Sequence, residues 1–330
     1  MRTKIVYVLT STTDDWYLEQ TIISVFSLKK HNPSCYAILV MDKITNNSLL
    51  DSRKNILEYF DETIVINVPT QFNQVQASRY IKTSLYQYID DNYLFIDGDT
   101  VICSDLSEID IWPDNISAVL DLHVPLSLHK REHAVRLWAN KIGWEIKSEY
   151  YYNSGVMKVM KSDVSKHLYD RWHEEWLAAL DKGYPRDQPM LGKINEEMGG
   201  VIKPLADIWN CQIIENGLKF LIDAKIIHYF SSAYKNGCYC PYLFGNQEIY
   251  QKLRQNKMRF SAELEVMILN AKSQFLDQSC ILSGEDTFFW ENSIIRNLKK
   301  LYINHNKIYS FIESGFLLIK HPFKILNKLK

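Results

Sequence analysis

The sequence predicts an α/β protein built on a mostly parallel central sheet with helices on both faces. Two observations carry this. Short apolar or β-branched runs alternate with longer segments of helical periodicity through the first hundred residues, and turn residues punctuate each switch. Alternation at this length implies βαβ units, whose crossovers cover both faces of the sheet.

Lys4 to Leu9 reads as a buried strand, and Leu18 to Lys30 as a helix closed by His31-Asn32-Pro33. Tyr36 to Met41 is a second strand. Apolar residues recur at helical spacing from Asn46 to Phe60, so one helix is expected there. Thr63 to Val68 is a β-branched third strand ending at Pro69, Ser78 to Ile89 a helix, and Tyr93 to Ile96 a fourth strand. Ser117 to Leu122 reads as another strand, with Asp121 at its end. Glu132 to Lys141 is helical, a lid or insertion. Tyr152 to Met157 is a short apolar segment with an embedded turn. Asp163 to Leu180 is a helix whose Trp172 and Trp176, four apart, face the core. Lys225 to Tyr229 is a last strand that places His228 at its end. From about Asn246 the pattern is mainly helical, which suggests a catalytic domain over 1–245 and a helical extension over 246–330.

Composition excludes several function classes. With 38 basic and 39 acidic residues the formal net charge is -1, so no overall positive field draws nucleic acid. The apolar run Ile5 to Leu9 is too short for a signal-peptide core, and no stretch reaches membrane-spanning length. Six scattered cysteines, with only Cys238 and Cys240 close together, read as reduced thiols of a cytoplasmic protein. The end of the chain is basic and amphipathic: Lys320, Lys324, Lys328 and Lys330 interleave with Phe323, Leu326 and Leu329. Residues 316–330 are thus a candidate for peripheral contact with an anionic membrane surface.

In doubly wound sheets ligands bind at the carboxyl ends of strands. Thr10 and Ser11 follow the first strand, Asp42 the second, and Asp97-Gly98-Asp99 the fourth. Neither G-x-G-x-x-G after the first strand nor G-x-x-x-x-G-K-[ST] anywhere is present, which argues against dinucleotide dehydrogenases and P-loop enzymes. Period-two geometry turns Asp97 and Asp99 to one side, where both reach one divalent cation. Two carboxylates brought together at a buried strand end are costly unless a cation neutralises them, and oxygen ligands suit Mg²⁺ or Mn²⁺. A rival for the same residues is the nucleophile loop of haloacid-dehalogenase-type phosphatases, with the first Asp attacking phosphorus. That loop usually follows a first strand and needs a later acidic pair, and neither condition holds here.

Over roughly residues 4 to 235 the chain resembles family 8 glycosyltransferases, retaining enzymes of the GT-A type with a Rossmann-like sheet. The matching segments come in the family's order: the opening strand and its polar loop, Ser78-Arg79-Tyr80-Ile81-Lys82, Asp97-Gly98-Asp99, Tyr152-Asn153-Ser154-Gly155-Val156, Asp187-Gln188, Trp209-Asn210, and Ile227-His228-Tyr229. The resemblance implies that Asp97, Asp99 and His228 bind Mn²⁺ or Mg²⁺, and that the ion holds the pyrophosphate of a nucleotide-sugar donor such as a UDP-sugar. Arg79 and Lys82 would add positive charge, although a family Arg stands where this chain has Lys82. Thr10, Ser11 and Asp42 would contact the nucleoside, and Asp121, Asn153 and Asp187 the donor sugar. Gln188 would lie nearest the reacting carbon, where an amide stabilises charge better than it attacks. The expected activity is transfer of a hexose-type sugar to a glycan or lipid-linked acceptor. The alternative is a catalytically silent relative that binds nucleotide or glycan.

Overall fold

A computed structural model describes residues 1–213, 215–229, 244, 247–276, 292–305 and 307–315. It divides into two compact units, Met1–Leu276 and Asp277–Lys330. The basic tail, 316–330, and the Cys238/Cys240 pair lie outside the described residues.

The first unit is built on a seven-stranded sheet. Its strands are β1 (Lys4–Leu9), β2 (Ala37–Asp42), β3 (Glu62–Ile66), β4 (Tyr93–Ile96), β6 (Ile116–Leu120), β7 (Tyr152–Val159) and β8 (Ile202–Pro204), in the spatial order β3-β2-β1-β4-β7-β6-β8. β7 alone runs against its neighbours, antiparallel to both β4 and β6; every other pairing in the sheet is parallel. The expected mostly parallel sheet flanked by helices is therefore present. A smaller sheet of β5 (Thr100–Ile102), β10 (Ile226–His228) and β9 (Cys211–Gln212) stands beside it.

Alternation along the strands sorts the core into two layers. Ile5, Tyr7 and Leu9 of β1, with Ala37, Leu39 and Met41 of β2, face one side, where helix α1 (Tyr17–His31) packs. Val6, Ile38 and Val40 face the other, against Ile81 of α3 (Gln74–Ser84) and Leu168, Trp172 and Trp176 of α5 (Asp163–Asp181). Both tryptophans are fully buried, as their spacing predicts. Helices α7 (Gln247–Gln255) and α8 (Ala262–Leu269) finish the α1 side: Ile249, Leu253, Leu264 and Ile268 join that layer.

Two elements differ from the sequence reading. The single helix expected over Asn46–Phe60 is a short α2 (Lys43–Ser48) and a 3₁₀ stretch, Asp51–Tyr59. Asp51 breaks it by taking a left-handed backbone conformation, φ 47°. The segment 152–157 has no turn; it is part of the unbroken, wholly buried strand β7. Three helices of this unit remain to be placed: α4 (Glu132–Lys141), at its predicted bounds, α6 (Gln188–Glu197), for which no helix is expected from sequence, and the single turn Ser273–Leu276. In the second unit a helix spans Ser293–Asn304, capped where Asn292 accepts the Ile294 N–H. Among the described residues no helix is long and apolar enough to cross a membrane.

Candidate active site

Three strands deliver the site. β4 stops at Ile96, and the chain crosses through Asp97-Gly98-Asp99 into β5, which leaves the large sheet for the small one. There β5 pairs antiparallel with β10, and the register sets Thr100 opposite His228. The next backbone bond, Tyr229 N–H to Asp99 O at 2.9 Å, ties the acidic turn to the histidine strand. Antiparallel pairing thus brings an imidazole from 129 residues downstream to Asp99; His228 Nε2 lies 3.2 Å from Asp99 Oδ1. On the other flank, Asp97 N–H donates to the carbonyl of Gly155 on β7 at 2.7 Å.

Asp97, Asp99 and His228 offer ligand atoms that all lie within 4.8 Å of one another. A cation with bonds of about 2.1 Å spans ligand atoms up to roughly twice that distance, so small adjustments close the set. Two carboxylates and an imidazole also match the chemistry of Mn²⁺. The surrounding backbone leaves room for it. A Cβ at Gly155 would sit 2.4 Å from His228 Cε1 and 2.9 Å from Asp97 Oδ2, and one at Gly98 would sit 2.3 Å from Thr21 Oγ1 on α1. Both positions require glycine because side chains of the site and of α1 approach them closely.

Electrostatics divide the cleft in two. Desolvation by burial, with the charge of Asp99, outweighs the pull of Lys82 and holds the Asp97 carboxyl above its usual range. Burial pushes the His228 ring down, but Asp99 more than reverses this and raises it. Beside this acidic group are two cations from one face of α3. Arg79 Nε is 3.0 Å from Asp187 Oδ1, and Lys82 Nζ lies 3.3 Å from Asp97 Oδ1 and 3.9 Å from Asp187 Oδ2. Burial alone would raise Asp187; Arg79 and Lys82 override it and keep the carboxylate ionised below its ordinary value. Asp187 leads directly into α6, whose Pro189 lies in the first turn, and Trp172 Nε1–H fixes its carbonyl at 2.9 Å.

A cleft joins these groups. Its lining includes Thr10, Arg79, Lys82, Asp97, Asp99, Asn153, Asp187, Gln188 and His228. Nine of the twelve sequence candidates therefore meet on one surface. Ser11, Asp42 and Asp121 do not line it, and protein partners occupy their side chains. Ser11 Oγ donates to Asp15 Oδ1 at 2.8 Å and accepts from Arg53. Asp42 caps α2 through the Thr45 N–H at 2.8 Å. Asp121 accepts from His129 Nε2 and Asn153 Nδ2. Direct ligand contact through these three finds no support in the geometry. Sequence reasoning, for its part, gave no role to Tyr17, Thr21, Gln74 or Ser154, which also line the cleft. Their signal is weak because each sits inside or beside a helix or strand of ordinary pattern.

No family model matches the sequence, and no curated protein is similar to it. Solved structures do share its fold. One is the galactosyltransferase LgtC in complex with donor and acceptor sugar analogues, with a TM-score of 0.53 and 16% identity over 80% of this chain and 99% of that one. An active-site mutant of LgtC gives a TM-score of 0.52 and 15% identity over the same shares. The chain thus has the GT-A fold of glycosyltransferases.

Proposed function

We propose that the chain is a metal-dependent, retaining glycosyltransferase of the family 8 type. It would move a hexose-type sugar from a nucleoside-diphosphate donor, a UDP-sugar, to a glycan or lipid-linked acceptor. One observation carries this most: Asp97, Asp99 and His228 converge within 4.8 Å in a cleft that Arg79 and Lys82 also line, with Lys82 Nζ 3.3 Å from Asp97 Oδ1. A cation-binding acidic group with cationic side chains beside it suits a pyrophosphate bound by both. The phosphatase alternative is disfavoured, because the acidic turn follows the fourth strand and its partner is an imidazole.

The residues divide the work. A bound Mn²⁺ or Mg²⁺ supplies Lewis-acid stabilisation of the departing nucleoside diphosphate. Asp97, Asp99 and His228 would hold it. Lys82 and Arg79 keep Asp187 ionised, and their remaining hydrogen-bond donors point positive charge into the cleft. Asp187, 8% exposed and held on both sides, presents a fixed carboxylate to sugar hydroxyls. Asn153, which also lines the cleft, has one amide hydrogen beyond its bonds to Asp121, Gly155 and Asn210 to offer the same sugar. Gln188 stands at the first turn of α6 with its amide as a fixed dipole. A neutral amide is a weak nucleophile but a good stabiliser of positive charge developing at the anomeric carbon. A phosphate oxygen of the leaving group then takes the acceptor's proton.

The test is a donor-hydrolysis panel of nucleotide sugars with Mn²⁺, read by NMR for anomeric configuration. Mn²⁺-dependent release of the sugar with its configuration retained is expected for one UDP-sugar. Nucleotide binding with no turnover of any donor would refute catalysis and leave a silent binding protein.

A further inference from the structure

A row of buried hydrogen bonds runs from the α4 segment to the candidate metal site, and each bond's direction is forced. The Arg131 backbone N–H donates to His129 Nδ1 at 3.0 Å, so the proton of that ring sits on Nε2. His129 Nε2–H donates to Asp121 Oδ2 at 2.9 Å. The other carboxylate oxygen can only accept, and it takes Asn153 Nδ2–H at 2.8 Å. The amide oxygen of Asn153 then faces the opposite way, where the obligatory donor Gly155 N–H reaches it at 2.9 Å. That same oxygen accepts Asn210 Nδ2–H at 2.9 Å. The remaining end of Asn210 is its oxygen, 2.9 Å from His228 Nδ1. Nδ1 must therefore carry a proton, while Nε2 faces the acceptor Asp99 Oδ1 at 3.2 Å and is the nitrogen whose proton a cation would displace.

We propose that Asp121, Asn153 and Asn210 are positioning residues that hold His228 as its Nδ1–H tautomer, with the Nε2 lone pair presented to the cation. The inference rests on the metal-site reading of Asp97, Asp99 and His228 given above. It assigns Asp121, buried away from the cleft, a role that sugar contact does not supply. It also explains why polar residues interrupt a strand as buried as β7: Asn153 needs both of its amide ends. Imidazoles that ligate metals bind through one nitrogen, and a partner at the other fixes ring orientation and tautomer. Here the partner is itself oriented by a carboxylate two side chains away.

Two measurements on the full-length chain test this. Long-range ¹H–¹⁵N correlation with ¹⁵N-histidine, in protein saturated with diamagnetic Mg²⁺ so that Asp99 no longer competes for the Nε2 proton, reports the tautomer directly. Nδ1–H is expected for His228, and the Nε2–H form would overturn the proposal without requiring any variant. Mn²⁺ affinity, read by EPR of free Mn²⁺, is then compared for Asn210→Leu in the wild-type and in a His228→Gln background. A loss on the order of 10–100-fold is expected in the first and under about twofold in the second, because the effect acts through the ring. Equal losses in both backgrounds, or none in the first, would contradict it. Should His228→Gln alone leave Mn²⁺ affinity unchanged, the metal-site reading itself fails, which is a different result from failure of the relay.

Discussion

At the scale of single residues, two glycines define the acidic turn as strictly as the carboxylates do. Gly155 has His228 Cε1 and Asp97 Oδ2 within 3 Å of where a Cβ would be, and neither is the loose end of a flexible chain. Gly155→Ala is expected to push the imidazole from the carboxylates and lower Mn²⁺ affinity at least tenfold, measured by EPR, while circular dichroism stays native. Unaltered affinity would show that the ring and the carboxylates need not converge. Gly98 is different, since its close neighbour is the Thr21 hydroxyl. Gly98→Ala should lower Tm, and adding Thr21→Ala should restore most of the loss. Additive losses in the double variant would contradict the contact. Asp97 and Asp99 stand out in sequence because two aspartates after an apolar strand are unusual unless a charge offsets them, whereas His228 is singled out only by the family resemblance. Ser11, Asp42 and Asp121 lie off the cleft lining for a physical reason. A polar residue after a strand serves equally well as a helix cap or a network member, and only side-chain geometry separates those roles from ligand contact.

At the scale of elements, the loop after β1 is held by a helix far away in sequence. Arg254 of α7 donates to Glu19 of α1 at 2.5 Å and to the carbonyls of Thr13, at 3.0 Å, and Asp15; its guanidinium also lies over Trp16. Glu19 is 0% exposed. Arg254→Met would leave that carboxylate buried without its countercharge, at a cost of about 3 kcal/mol. A urea melt checks this, and Glu19→Gln in the same chain should recover part of the stability. No recovery would show that the loss comes from packing on Trp16. Regular elements were the most legible: β1, β4 and α4 fall at their predicted bounds because nothing functional interrupts their periodicity. β7 was read as containing a turn because Asn153, Ser154 and Gly155 look like turn chemistry. They line the cleft instead, which is where local pattern is expected to mislead. Helix α6 was missed since Pro189 and Gly192 count against a helix, yet Pro is well tolerated in a first turn.

At the scale of the whole molecule, β5 leaving the large sheet is what brings Asp97, Asp99 and His228 together. The turn between β4 and β5 lies where two sheets diverge, so Asp97 belongs to one and Asp99 borders the other. The first unit also needs its later helices. Ile249, Tyr250, Leu253, Leu264 and Ile268 fill the layer over α1, so a chain ending at Leu276 is expected to melt cooperatively. One ending at residue 245 would expose that layer and should aggregate or lose its near-ultraviolet circular dichroism. Equal Tm for the two would contradict the packing. The most direct test of the central claim is calorimetric titration of UDP into the intact chain with and without Mn²⁺, repeated with Asp99→Asn. Binding should require Mn²⁺ in the wild type and vanish in the variant while the variant's Tm without metal stays native or rises. UDP affinity that is indifferent to Mn²⁺, or unchanged by Asp99→Asn, would contradict the account.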